Sequence, residues 1–237
     1  MAIYAIDESQ HKAARVAGLI YLLTMATANF AEFYVRRHVL VHGDALQTAR
    51  NIAASAPLFR LGLASDLLTL ACDIVLVAAL YVVLKPINRN LALLAVFWRM
   101  VECSVVAVTL ATDFAALLIL SGADSLRALD AEQLPALARL LISMDAGGNR
   151  VAALFFGLGS TLFCYLWLKS RYIPRALAAL GIFASLVPMF IPLATIVLSS
   201  LADVPLRRAR TGVPIVIFEV ILGFWLLVKG IRAPIVE

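Results

Sequence analysis

Residues 61–84 read LGLASDLLTLACDIVLVAALYVVL, and this run decides the fold. Apart from Asp66 and Asp73, every residue in it is uncharged. A run of about 18 or more apolar residues is long enough to cross the roughly 30 Å hydrocarbon core of a bilayer. A membrane β-strand needs only about 9–11 residues and alternates in hydrophobicity, so this run predicts a membrane-spanning helix.

Similar runs recur on both sides of this stretch. The chain is 63% hydrophobic and 15% charged, whereas a typical soluble domain is about 45–50% apolar and about 25% charged. We therefore expect an all-α, polytopic membrane helix bundle that forms a single domain over residues 1–237. Its six transmembrane helices are predicted at residues 13–35, 61–84, 91–120, 151–168, 176–198 and 213–228.

The basic residues predict an orientation. The short turns at residues 85–90 and 169–175 carry Lys and Arg but no acid, and such loops are typical of the cytoplasmic side. Both chain termini are then cytoplasmic. The net charge of +5 is explained by this topology, so we expect no nucleic-acid partner. In residues 130–144 apolar and polar residues alternate at helical spacing, which predicts an interfacial helix on the outer face.

Metal, cofactor and nucleophile motifs have little support. The cysteines Cys72, Cys103 and Cys164 lie singly inside apolar runs, and no histidine occurs in any of these runs. A buried zinc or haem site is therefore not predicted, and we expect no cofactor. The weak metal candidates are His38 and His42, to which Glu32 or Asp44 would add a carboxylate.

Charged residues inside the predicted spans are the informative positions. Each costs about 2.5–3.5 kcal/mol near the bilayer centre even on the milder insertion scale. Asp66 and Asp73 are nearly two helical turns apart, so they share a face. The candidates for ligand binding or proton carrying are Asp66, Asp73, Arg99, Glu102, Asp113 and Glu219.

Two interpretations of these charges stay open. In one, the carboxylates line an outward-facing acidic cavity that binds a small molecule or an ion and can carry protons. In the other, Arg99 pairs with Glu102 or Asp73 in a structural network that holds the bundle together. The favoured function is a transporter or receptor for a small molecule or ion. The alternatives are a structural or assembly subunit and, third, a membrane-embedded enzyme, whose nucleophile or metal we do not find.

Small residues and prolines shape two helices. Ala153, Gly157 and Thr161 recur every four residues, a spacing that lets another helix approach closely. A homo-oligomer through this face is one candidate assembly, beside the lipid bilayer as the general partner. Pro188 and Pro192 each remove a backbone donor and favour a kink in the fifth span.

A family resemblance covers nearly the whole chain. The segments that carry it are residues 11–21 (HKAARVAGLIY), Leu58-Phe59-Arg60 through Asp66 and Asp73, residues 81–89, and residues 97–102 (FWRMVE). With these segments the chain resembles the bacterial integral membrane proteins grouped as domain of unknown function 4386. The resemblance implies a multi-pass fold in the bacterial plasma (inner) membrane. It implies no activity, cofactor or catalytic residue.

Overall fold

The computed structural model describes residues 6–41, 45–120, 133–197 and 212–232. Within these ranges the regular structure is helical and no strand occurs, which confirms the predicted fold class. The helices are α1 (Glu8–Asn29), α2 (Arg37–Val39), α3 (Ala45–Ala54), α4 (Ala56–Leu84), α5 (Arg89–Leu120), α6 (Gln133–Ser170), α7 (Arg175–Val197) and α8 (Val213–Val228). A π-helical segment, Phe30–Arg36, joins α1 to α2.

Five helical stretches in the described ranges are long and apolar enough to cross a membrane. They are Glu8–Val39, Ala56–Leu84, Arg89–Leu120, Leu140–Ser170 and Arg175–Ala194. The sixth predicted span corresponds to α8, which is apolar but has 16 residues and is therefore about 24 Å long. The chain is thus a multi-pass membrane protein whose last helix is shorter than the predicted spans before it. The helix α7 is continuous across both of its prolines, Pro188 and Pro192.

Two helix ends differ from the sequence prediction. The sequence predicts that the first span ends before Arg36, but helical structure continues through the π-helical segment to Val39. The sequence also predicts an outer interfacial helix separate from the fourth span. Instead α6 continues from Gln133 through Gly147 and Gly148 to Ser170. Gly148 packs so closely against Thr109 that a Cβ atom at this glycine would overlap the threonine Cγ2, so this packing leaves no room for a side chain at Gly148.

Contacts divide the chain into two compact units. Unit 1 comprises residues 1–25, 72–103 and 151–237, and unit 2 comprises residues 26–71 and 104–150. The core of unit 1 includes the fully buried aromatic residues Trp167, Tyr172 and Phe218. The predicted single domain over residues 1–237 stays a prediction.

In unit 1, α1 and α8 lie against each other with little space between their backbones. A Cβ atom at Gly18 would lie 2.6 Å from the backbone nitrogen of Leu227 and 2.8 Å from the carbonyl oxygen of Gly223. Only glycine permits this approach, so the first and last helices of the chain are packed backbone to backbone.

The start of α1 is fixed by a reciprocal cap. Asp7 Oδ1 accepts a hydrogen bond from the backbone N–H of Gln10 at 2.7 Å, and Gln10 Oε1 accepts one from the N–H of Asp7 at 3.1 Å. This arrangement satisfies two amide donors at the helix N-terminus. Gln10 Nε2 also donates to the carbonyl of Val83 at 3.0 Å, which ties the start of α1 to the end of α4.

Unit 2 has a smaller core of its own. Val35 and Val39 from the end of the first span pack with Ile52 of α3, Phe59 of α4 and Leu117 of α5. Val35 is also in close contact with Gly62, where a Cβ atom would lie 2.8 Å from the valine Cγ1. The π-helical segment is therefore packed tightly against α4.

Candidate functional site: two buried charge clusters

In unit 1, Arg99 lies between two carboxylates. Its Nη1 is 2.7 Å from Glu102 Oε2 and its Nη2 is 3.6 Å from Asp73 Oδ1. The side chains of Arg99, Glu102 and Asp73 are 6%, 10% and 21% exposed. Arg99 thus contacts both of the acids that the sequence offered as its partners, and their neutralisation of its charge stays a prediction.

A third carboxylate, Glu219 of α8, lies near this cluster. It is 8% exposed and is in Coulombic range of Arg99, Asp73 and Glu102. Among the described residues, no cationic nitrogen lies within 4.0 Å of Glu219, whereas Arg99 makes two such contacts with other acids. Tyr21 of α1, which is 6% exposed, also interacts electrostatically with Glu219. We call Asp73, Arg99, Glu102 and Glu219 the Arg99 cluster.

Packing fixes the position of the Arg99 side chain. The guanidinium carbon lies 4.6 Å from the centroid of the Phe156 ring, a cation–π contact. A Cβ atom at Gly159 would lie 2.7 Å from Arg99 Cγ and 3.1 Å from the carbonyl oxygen of Ala95. The absence of a side chain at Gly159 therefore leaves the space that the aliphatic part of Arg99 occupies.

Unit 2 contains a second cluster, centred on Arg36. Arg36 Nη2 lies 2.8 Å from Asp66 Oδ2 and 3.9 Å from Asp113 Oδ2, and Nη1 donates to Asp66 Oδ1 at 3.4 Å. Asp145 of α6 interacts electrostatically with Arg36 and accepts a hydrogen bond from Asn149 Nδ2 at 2.8 Å. We call Arg36, Asp66, Asp113 and Asp145 the Arg36 cluster.

A small cavity adjoins the Arg36 cluster. Its free volume of about 10 Å³ is close to what one water molecule needs. Its lining is made by Ala31, Val35, Arg36, Phe59, Gly62, Leu63, Asp66 and Asp113. The charged groups around it suit a water molecule, and an organic ligand does not fit.

The structure thus divides the predicted site residues between two clusters. Asp73, Arg99, Glu102 and Glu219 belong to unit 1, and Asp66 and Asp113 belong to unit 2. One cavity shared by all six stays a prediction. Sequence reasoning missed Arg36 and Asp145, because both were assigned to connections outside the membrane-spanning helices. The only sequence signal for Arg36 is that it follows an apolar run directly.

The weak metal candidates gain no support. His38 and Glu32 are exposed, and the ring of His38 lies 5.8 Å from that of Tyr34. His42 and Asp44 lie outside the described residues. In the part of the chain that the structure describes, no group of three or more His, Cys, Asp or Glu side chains is placed to hold a metal ion.

The small-residue face of α6 has a partner within the chain. A Cβ atom at Gly157 would lie 2.7 Å from Met189 Cβ and 2.8 Å from the carbonyl oxygen of Ser185. The close approach that this glycine permits is therefore made by α7 in unit 1. A homo-oligomer stays a prediction, and Gly157 does not support it.

Comparison with known proteins points to one family. The model of the domain of unknown function 4386 (DUF4386) matches residues 16–230. No curated protein and no solved structure matches the chain. The match includes every helix from α2 to α8 in full, together with every member of both charge clusters. The chain therefore belongs to the family of proteins that share domain of unknown function 4386.

Proposed function

We propose that this membrane protein binds a proton or a small monovalent cation at the Arg99 cluster, and that this binding is the core of a transport or sensing function. The observation that carries the proposal is the buried carboxylate of Glu219, which has no cationic partner among the described residues. The bacterial plasma membrane and a cytoplasmic position of both termini are part of the same proposal.

The charge count supports a positively charged ligand. The cluster has three carboxylates and one guanidinium, so its formal charge is negative when all four groups are ionised. Burying an uncompensated charge is costly, and the loss is several kcal/mol per ion even after relaxation. Arg99 is already in contact with Glu102 and Asp73. A bound proton or cation would reduce the remaining negative charge at Glu219.

The surroundings favour a small ligand. The neighbours of the cluster include the rings of Phe156 and Tyr21, and Gly159 brings the α6 backbone close to Arg99. Tyr21 adds a hydroxyl group that can donate or accept a hydrogen bond. A proton, Li⁺ or Na⁺ matches this set of oxygen atoms better than a large organic cation does.

The test replaces Glu219 by Gln and uses Glu32→Gln as the matched control, because Glu32 is exposed and lies outside the Arg99 cluster. Thermal unfolding of the purified protein is followed between pH 5 and 8 in choline chloride, LiCl, NaCl or KCl at constant ionic strength. We expect a pH- or cation-dependent shift of the unfolding temperature in wild type and in Glu32→Gln, and its loss in Glu219→Gln.

Wild-type unfolding that is independent of both pH and cation would contradict the proposal. A dependence that is unchanged in Glu219→Gln would also contradict it, since the binding group would then lie elsewhere. The first of these results favours the second candidate, a structural or assembly subunit. That candidate is supported by the short ion pairs Arg99–Glu102 at 2.7 Å and Arg36–Asp66 at 2.8 Å.

A further inference from the structure

One end of unit 1 gathers exposed cations from several helices. They come from the start of α1, the α4–α5 turn, the α6–α7 turn and the end of α8. We call these nine residues the basic end: Lys12, Arg15, Lys85, Arg89, Lys169, Arg171, Arg175, Lys229 and Arg232.

Specific contacts show that these segments lie together. Gln10 donates to Val83, which joins the start of α1 to the end of α4. Gly18 packs against Leu227, which joins the middle of α1 to the last turn of α8. The segment after α8 reaches the α6–α7 turn, where the backbone N–H of Arg232 donates to the carbonyl of Tyr172 at 3.2 Å.

Few acids compensate this charge. In the described residues the only ion pair of the basic end joins Lys12 to Glu8 at 2.7 Å. Asp7, the other acid at this end among the described residues, caps α1 and interacts with Lys85 at longer range. Among the described residues, the other cations of the basic end have no ion-pair partner.

Within the basic end, Lys229 and Arg232 both lie near one aromatic ring, that of Trp225. Lys229 Nζ lies 4.6 Å and Arg232 Cζ 5.9 Å from the ring centroid of Trp225. Arg171 has φ of 57°, a left-handed conformation that is uncommon for a residue with a side chain. Non-glycine residues in this region often mark functional positions. Arg171 directly precedes Tyr172, whose carbonyl accepts the hydrogen bond from the backbone N–H of Arg232.

We propose that the basic end binds the phosphate of anionic phospholipid headgroups, with Arg171 and Arg232 as its main contacts. The partner follows from the position of the cations: most of them lie at the ends of helices that are long and apolar enough to cross a membrane, and Lys and Arg at such ends are placed to meet lipid headgroups. Guanidinium groups bind phosphate oxygens through paired N–H donors. Clusters of Lys and Arg next to a membrane span bind anionic lipid by charge attraction.

The experiment uses the full-length protein in nanodiscs of phosphatidylcholine with increasing phosphatidylglycerol, both with the same acyl chains. Retained lipids are identified by native mass spectrometry after release into detergent. We expect wild type to retain phosphatidylglycerol in preference to phosphatidylcholine. The double variant R171Q/R232Q should bind phosphatidylglycerol about 30-fold more weakly, because each substitution removes one cation that attracts the headgroup phosphate.

Two controls separate local contacts from net charge. The variant R50Q/R60Q removes two exposed arginines of unit 2 and should retain phosphatidylglycerol as wild type does. The variant R171K/R232K keeps both charges and should recover part of the binding. Circular dichroism in phosphatidylcholine checks that every variant is folded. Equal retention of both lipids by wild type would overturn the proposal. Equal losses of phosphatidylglycerol binding in R171Q/R232Q and R50Q/R60Q would also overturn it.

Discussion

Arg36 and Asp66 form a two-point ion pair, in which Nη2 is 2.8 Å from Oδ2 and Nη1 is 3.4 Å from Oδ1. The pair joins the π-helical segment to α4 within unit 2. Its side chains are 22% and 15% exposed, so solvent screens it only in part. Arg36 also has a weaker contact with Asp113 at 3.9 Å.

The variant Asp66→Asn should destabilise the protein by about 2 kcal/mol, because it leaves the Arg36 cation without its closest partner. Denaturation in mixed detergent micelles measures the change in unfolding free energy. Glu32→Gln, which changes an exposed acid in the same π-helical segment, should have an effect within about 0.5 kcal/mol. Equal effects of the two variants would show that the pair contributes nothing specific.

The Arg99 cluster should tolerate loss of its cation better than loss of its acids. In Arg99→Leu the remaining carboxylates can take up protons, whereas D73N/E102Q leaves a guanidinium that cannot lose its proton. We therefore expect the double variant to be the less stable of the two, by thermal unfolding in detergent. If Arg99→Leu proves the less stable, these acids have a role other than neutralising Arg99.

Two glycines of α6 should respond oppositely to alanine. In Gly159→Ala the new Cβ atom would lie 2.7 Å from Arg99 Cγ and 3.1 Å from the Ala95 carbonyl oxygen. We therefore expect the free energy of unfolding to fall by about 1–3 kcal/mol. At Gly147 no atom of the described residues lies within 4 Å of the Cβ position. Gly147→Ala should therefore stabilise the helix by up to about 1 kcal/mol. Urea or detergent unfolding of the two variants measures both changes in stability. A lower stability of Gly147→Ala would contradict the open space at this glycine.

The cap of α1 should depend on pH. The hydrogen bond from the Gln10 backbone, with smaller help from the Ser9 hydroxyl, holds the pKa of Asp7 below its usual value of 3.8. Because the folded-state pKa is lowered, the stabilisation by the cap is complete above the usual value and is lost as the pH falls through the folded pKa.

NMR of the Gln10 amide between pH 6 and 2 tests this expectation. In wild type the amide shift should titrate with a midpoint below 3.8, the usual pKa of Asp7. In Asp7→Asn the titration should disappear. A wild-type midpoint at or above the usual value would mean that the cap does not favour the ionised carboxylate.

The orientation can be tested with reporter fusions. The turns at residues 85–90 and 169–175 contain Lys and Arg without acids, so fusions after Lys85 and Lys169 should report the cytoplasm. Fusions after Leu120 and Val197 should report the opposite side. The reverse pattern would contradict the proposed cytoplasmic location of both termini.

The long apolar runs predicted the helices well, because each needs to satisfy its backbone hydrogen bonds internally in lipid. The partners of Arg99 were also predictable. Glu102 is one turn away on α5, and the antiparallel turn between α4 and α5 places Asp73 at a similar depth.

Arg36 illustrates what the sequence pattern could not show. Two adjacent arginines after an apolar run usually mark the end of a membrane helix, so Arg36 and Arg37 predicted a loop. Its main partner, Asp66, is 30 residues away, and only tertiary packing brings the two together. Asp145 was missed for a similar reason, since the fourth span was predicted to begin only at residue 151, whereas α6 begins at Gln133.

The π-helical segment determines the direction around the helix axis in which the residues after it point. The backbone N–H of Arg37 donates to the carbonyl of Glu32, five residues earlier. The corresponding α-helical hydrogen bond spans four residues, so this turn contains one extra residue. Relaxation of this segment to α-helical winding would turn the following residues by about 100° around the helix axis. The Arg36 side chain would then lose its contacts with both Asp66 and Asp113. Deleting one residue between Phe30 and Val35 would impose the same rotation, so the length of this short segment sets whether the two aspartates meet a cation at all.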